Sequence, residues 1–274
     1  MALDICKKAI DDLGEFLHPL KALIFAGHGE PLTHPDISAM VAYAKEKKVA
    51  ERVEIVTNAS LLTPTLSDAL IQAGVDRVRV SLQGLSAQKY KDVARVDIDF
   101  ETFLENLSYF YHTKKHTELT IKIIDVALDG DEEKFYRVFS PICDQAVIEH
   151  MVPLVQDVDY AKTEKNFSLS KEGYQVKNFK VCSQPFYMII LEPSGHVVPC
   201  CSTRVPCILG DVAKQSLKDI WDSVERKNFL ILQLKDRTCN AVCSGCEIPI
   251  YALQPGDYLD EYANVLLPRY QACD

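Results

Sequence analysis

The 274-residue sequence predicts an α/β fold, a parallel sheet built from repeated βαβ units, followed by a small cysteine-rich module. Three observations predict it. Short apolar runs alternate with helical patterns at spacings of about 25–35 residues through the first 150 positions. The end of each apolar run meets a cluster of Gly, Asn, Ser or acidic residues. Of ten cysteines, only Cys6 and Cys143 lie within residues 1–181; Cys182, Cys200, Cys201, Cys207, Cys239, Cys243, Cys246 and Cys273 follow. The expected divisions are residues 1–155, a connecting segment 156–181, and the cysteine-rich part 182–274.

Each element follows from its local pattern. Residues 3–17 place Leu3, Ile10, Leu13, Phe16 and Leu17 near one helix face. Residues 21–26 read as a buried strand and 36–48 as a helix, with Asp36 after Pro35 as its cap. Strands at 53–56, 78–81, 120–126 and 146–149 alternate with helices at 64–73, 99–114 and 131–140. Farther on, 187–191 reads as a strand. Glu192-Pro193-Ser194-Gly195 is then a type I turn, with Pro second and Gly fourth, and 196–199 begins the returning strand. Leu217, Ile220, Trp221 and Val224 fall at i, i+3, i+4 and i+7, one apolar helix face on which Trp221 reads as core. Asp257, Asp260 and Glu261 head a C-terminal helix, where acids suit the dipole. Cys6 and Cys143 read as buried small hydrophobes.

Composition narrows the function. A hydrophobic content of 47% with 25% charged residues describes a globular chain. The net charge of −9 argues against a nucleic-acid partner, which needs a basic surface. No apolar run reaches the roughly 18 residues of a membrane span, and the N-terminus is amphipathic and unlike a signal peptide, so a cytoplasmic location is expected. Clustered cysteines in such a setting bind metal more often than they form disulfides.

The polar clusters share one address. Phe25-Ala26 runs into Gly27-His28-Gly29-Glu30-Pro31, Ile55-Val56 into Thr57-Asn58, Val80 into Ser81-Leu82-Gln83-Gly84, and Ile123-Ile124 into Asp125. In parallel α/β sheets the C-terminal strand edge is where ligands bind. Turn chemistry alone would favour some of the same residues. His28 and His34 flank this edge, as proton carriers or as loop formers.

Gly27-His28-Gly29-Glu30-Pro31-Leu32 resembles the GGEP segment of radical SAM enzymes. Thr57-Asn58-Ala59 resembles their TNG-type loop, and Ser81-Leu82-Gln83-Gly84 the strand end that follows. The resemblance implies a partial (β/α)6 barrel with S-adenosylmethionine (SAM) in its mouth. The backbone at Gly29, Glu30 and Pro31 would receive the methionyl amino group. Ser81, with Gln83, would hold the carboxylate or ribose, and Thr57 and Asn58 would line the same mouth. Gln83 stands where an acid is common. The family's Cys-X3-Cys-X2-Cys, which mounts the SAM-cleaving [4Fe–4S] cluster, precedes the GGEP segment. Here only Cys6 precedes Gly27. The chain is therefore expected to lack its first strand and the cluster loop, and to be inactive as given, while an intact parent would generate the 5′-deoxyadenosyl radical. Cys239-X3-Cys243-X2-Cys246 has the same spacing but follows the barrel.

The hairpin at 187–199 brings Cys182 near Cys200, and Cys243-Ser-Gly-Cys246 supplies a second pair. Two such pairs suit a [4Fe–4S] cluster or a zinc ion. Cys201, next to Cys200, points the other way in extended chain. Cys182-Ser-Gln-Pro-Phe, Gly195, Cys200-Cys201, Leu209-Gly210-Asp211 and Cys243-X2-Cys246 resemble the SPASM/twitch extension of radical SAM proteins. The resemblance implies one auxiliary [4Fe–4S] cluster on Cys182, Cys200, Cys243 and Cys246, with Cys207, Cys239 and Cys273 open as a second, incomplete site. It also implies a peptide or small-molecule substrate and an electron donor such as a flavodoxin or ferredoxin. The alternative expectation is a non-catalytic, partner-binding protein with a structural zinc or iron–sulfur site made of four cysteines.

Overall fold

The structure, a computed structural model, describes residues 1–155, 158–160 and 167–271. Part of the expected connecting segment, and Cys273, lie outside the described residues. The chain divides into two units: Leu13–Met151, and Met1–Asp12 with Val152–Asp274.

The Leu13–Met151 unit is a parallel sheet of five strands, β1 (Leu23–Phe25), β2 (Val53–Thr57), β3 (Arg77–Leu82), β4 (Glu118–Ile124) and β5 (Gln145–Glu149). Their order in the sheet is their order in sequence. Ile55 pairs with Val78, Val78 with Leu119, and Val80 with Ile121. One layer therefore stacks branched apolar side chains across three strands, all of them buried. Helices Ile37–Lys47, Pro64–Ala73, Phe100–Thr113 and Glu132–Phe139 cross over between strands as the periodicity predicts. Their ends are signed locally. Thr63 accepts the Leu66 N–H ahead of Pro64, and Asp99 and Asp131 accept from Thr102 and Lys134. A helix at Ala87–Ala94, capped by Ser86, had no expectation in the sequence. Its hydrophobic residues are few, and only Tyr90 is buried.

The other unit holds the cysteine-rich part. Tyr187, expected to begin a strand, instead ends a short helix, Gln184–Tyr187, with Pro185 in its first turn. The strands of the hairpin are β6 (Ile190–Leu191) and β7 (His196–Val198), with Ile190 opposite Val198. The Gly195 N–H closes the turn onto Glu192 O at 2.9 Å, and Gly195 sits at φ +94°, which only glycine adopts without strain. A third strand, β8 (Gly210–Asp211), pairs with β7. The expected single helix through Val224 is two helices. Leu217–Asp222 ends at Ser223, whose hydroxyl caps Val224–Asp236, and Val224 is left 59% exposed. A serine in β conformation there breaks the period. The acids at 260–261 precede helix Ala263–Gln271. Asp260 also accepts the N–H groups of Lys180 and Val181 at 3.0 and 2.9 Å, pinning the chain that enters Cys182.

The first helix, Leu3–Asp12, falls in this unit, whereas the sequence division grouped it with the sheet. The Asp12 carboxylate accepts the Leu217 N–H at 3.1 Å and pairs with Lys8, which also donates to Gln215 O. Cys6, Ala9 and Ile10 form its buried face.

Candidate functional site

The sheet unit gathers the first set of expected residues at the C-terminal strand edge. Pro31–Thr33 makes a short turn whose cap is Glu30. Glu30 Oε1 accepts the Leu32 N–H at 3.0 Å and the Thr57 hydroxyl at 2.6 Å, and Oε2 accepts the Asn58 N–H at 2.8 Å. A single carboxylate thus ties the loop after β1 to the end of β2. Thr57 is buried and its hydroxyl also accepts the Ala59 N–H, so it serves as a strut behind the mouth. Asn58 Oδ1 turns the loop by accepting from Ser60 N–H at 2.9 Å and its hydroxyl at 2.7 Å. Ala59 adopts φ +58°, where TNG-type loops carry glycine.

Gly29 is exposed beside this knot. Ser81 lies half-buried near the end of β3, in register with Lys122, and Gln83 follows the strand. No hydrogen bond among the described residues joins Ser81 or Gln83 to the Glu30 knot. His34 Nδ1 accepts the Asp36 N–H at 3.0 Å, a loop-forming role.

Sequence reasoning missed the charges on the sheet face opposite the apolar layer. Glu54 is 1% exposed and sits among Arg52, Arg79 Nε at 3.2 Å and Arg77 Nη1 at 4.0 Å. Arg77 also pairs with Glu118 at 2.6 Å, and Lys122 with Glu149 at 3.1 Å. Where β4 and β5 end, Asp125 accepts the Met151 N–H and lies 3.3 Å from His150 Nδ1. The signal was present: Arg77-Val78-Arg79-Val80 and Val53-Glu54-Ile55 alternate strictly.

In the other unit, Cys182, Cys200, Cys243 and Cys246 line one small pocket, with Gln233 and Arg237 beside them. Three distant stretches contribute: the loop before helix Gln184–Tyr187, the end of the hairpin, and the turn of Ala241–Ser244. Asn240 Oδ1 caps that turn, accepting the N–H groups of Val242 and Cys243. Burial pushes the Cys182 and Cys200 thiols up to about 12, and neighbouring cysteines of the set add to the rise. Burial also raises Cys243 and Cys246, against which the Arg237 guanidinium pulls.

Cys201 is exposed and its thiol points to Gln184 Oε1; neither it nor Cys207 nor Cys239 lines the pocket. Four sulfurs are the donor set of a cluster or of one ion. They surround the pocket without closing on a point: among the described residues, no three His, Cys, Asp or Glu side chains are gathered closely enough to hold a single metal ion. Gln233 lies in helix Val224–Asp236 and Arg237 caps its end four positions on, a spacing that could have found them.

Residues 3–137 match the radical SAM superfamily, and residues 182–247 match SPASM, an iron–sulfur cluster-binding domain. The chain belongs to the radical SAM proteins that carry a SPASM extension, a family whose cofactors are SAM and [4Fe–4S] clusters. It is 26% identical to the AdoMet-dependent heme synthase of Methanosarcina barkeri, over 95% of this chain and 86% of that protein. It is 25% identical to the tungsten-containing aldehyde ferredoxin oxidoreductase cofactor-modifying protein of Pyrococcus furiosus, over 89% of this chain and 80% of that one. Among solved structures, native anSMEcpe with bound AdoMet superposes with a TM-score of 0.61 at 12% identity, covering 99% of this chain and 88% of that one. BtrN in complex with AdoMet and 2-DOIA gives 0.57 at 17% identity, covering 94% and 85%. At such identities the likeness is one of fold. No helix among the described residues is long and apolar enough to cross a membrane.

Proposed function

We propose that this chain is a SPASM/twitch-type radical SAM protein that modifies a small molecule or a peptide, with one auxiliary [4Fe–4S] cluster held by Cys182, Cys200, Cys243 and Cys246. The observation that carries the reading is the meeting of these four sulfurs, and of no other described cysteine, around one pocket. A four-iron core spreads its thiolates around a volume, whereas a single ion draws them to a point. In the family, reduced cluster and SAM together supply 5′-deoxyadenosyl radical chemistry. This chain's own residues bind and orient. The Glu30 carboxylate fixes the Thr57 side chain and the Asn58 backbone. That leaves the exposed Gly29 backbone, with Glu30 and Pro31, to meet the methionyl amino group of SAM, Ser81 and Gln83 to meet its carboxylate or ribose, and Asn58 to line the same mouth. Within residues 1–274 only Cys6 precedes Gly27, so the SAM-cleaving cluster is assigned to no residue here.

Relatives named for heme synthesis and cofactor modification, and a neighbour recorded with AdoMet and a bound peptide, support the substrate class. An electron donor of the flavodoxin or ferredoxin kind and a cytoplasmic setting complete the proposal.

Anaerobic purification with iron, sulfide and zinc analysis tests it. About four irons per chain are expected for one [4Fe–4S] cluster; stoichiometric zinc without iron would favour a structural four-cysteine zinc site instead. Cys243→Ala should lose the metal and Cys6→Ala should keep it. Equal metal in both would refute the ligand set.

A further inference from the structure

We propose that Arg237 and Gln233 set the charge balance and reduction potential of the four-cysteine centre, Arg237 as its buried counter-charge and Gln233 as an N–H donor to a ligand sulfur. The inference rests on the cluster reading above. Arg237 is 9% exposed. Its Nη1 donates to Cys243 O, and to Cys246 O at 3.3 Å. Among the described residues no carboxylate lies within ion-pair distance of it. The neighbouring Asp236 carboxylate is turned to the Thr238 N–H and hydroxyl at 2.9 and 2.6 Å.

A buried cation without a counter-charge is costly to a fold. The pocket that Arg237 lines, however, is walled by four cysteines, and cysteines bind iron as thiolates. A [4Fe–4S] core with four thiolates is anionic in both oxidation states. It therefore stands where a carboxylate partner would otherwise be needed. Gln233, 1% exposed, lies four residues earlier, in the helix that Arg237 caps, and lines the same pocket. Its Nε2 is 3.5 Å from Cys243 Sγ, while its Oε1 is buried with no partner, so the amide is oriented by the sulfur. Reduction adds one electron to the core. A fixed cation and an N–H···S bond both stabilise the more negative form, so both raise the potential.

The test is a potentiometric titration of the anaerobically loaded protein, with dithionite as reductant and the cluster followed by electron paramagnetic resonance. Arg237→Gln is expected to make reduction less favourable by at least tenfold, about 59 mV for one electron. Gln233→Leu should shift in the same direction, and Arg237→Lys should recover most of the loss. Lys214→Gln, which removes an exposed cation of the same unit, should titrate like the unchanged protein.

A loaded Arg237→Gln that titrates like the unchanged protein overturns the proposal, as does Arg237→Lys titrating like Arg237→Gln. If Arg237→Gln holds no iron while Arg237→Lys does, the counter-charge is supported. If neither holds iron, Gln233→Leu decides: a lower potential supports the proposal and an unchanged one overturns it. Iron missing from the unchanged protein would sink the cluster reading, a distinct failure.

Discussion

Glu30 carries more structure than its exposed neighbours. Its two oxygens take three donors from two loops, and the Asn58 bond is made to a backbone N–H that has no side chain to lose. Glu30→Gln puts an amide N–H where an acceptor is needed. Leaving buried donors unsatisfied costs about 1–3 kcal/mol, so the urea midpoint should fall and the affinity for SAM in equilibrium binding should weaken; an unchanged midpoint and affinity would remove Glu30 from this role. Cysteine chemistry is also decided residue by residue. Burial pushes the Cys6 thiol up to about 11, which leaves about a thousandth of it as thiolate at pH 8. Alkylation followed by mass spectrometry should therefore label the exposed Cys201 and Cys239 before the buried Cys6 and Cys143. Labelling of Cys6 should rise with pH toward 11, because its thiolate is the reactive form. Early labelling of Cys6 at pH 8 would contradict its burial.

Between elements, the close approach of β8 to helix Leu217–Asp222 depends on a missing side chain. A Cβ on Gly210 would lie 2.6 Å from Ile220 Cγ1 and 2.8 Å from Gln215 Nε2. Ile220 is fully buried. Gly210→Ala should overpack this contact by about 1–3 kcal/mol, lowering the thermal unfolding midpoint; a variant as stable as the parent would show that the helix yields instead. The same helix illustrates how a period can mislead. Leu217 and Ile220 are buried as their spacing predicts, but Val224 belongs to the next helix, because the Ser223 hydroxyl oxygen accepts the Arg226 N–H and ends the run. Trp221 is half-buried, with the Arg226 guanidinium 3.4 Å over its ring.

For the molecule as a whole, the first helix is allied with the cysteine-rich part. Its link is specific: Asp12 accepts the Leu217 N–H and pairs with Lys8. Asp12→Asn weakens that link while keeping the side chain's size. Amide exchange at residues 213–222 should accelerate, with exchange in β2, β3 and β4 unchanged. Acceleration in the strands and not at 213–222 would place the helix with the sheet after all. The charged face of the sheet is the other large-scale feature, since Glu54, Arg77, Arg79, Glu118, Lys122 and Glu149 come from four strands and meet only when the sheet assembles.

Local pattern was enough for the strand–helix order of the first 150 residues, apart from helix Ala87–Ala94. Apolar alternation and helix caps are written within a few neighbouring positions, and burial of one face follows from them. It was also enough to mark the loop at Glu30 and the cysteine-rich region, because those residue types are rare and clustered. Other features were not legible. That Thr57 is a strut, that Arg237 and Gln233 line the cysteine pocket, and that Leu3–Asp12 packs with the cysteine-rich part all depend on partners that no fixed spacing announces. A sequence records that a side chain must be buried or paired. Only the folded chain decides against what, because that choice is made by contacts between segments with no fixed spacing.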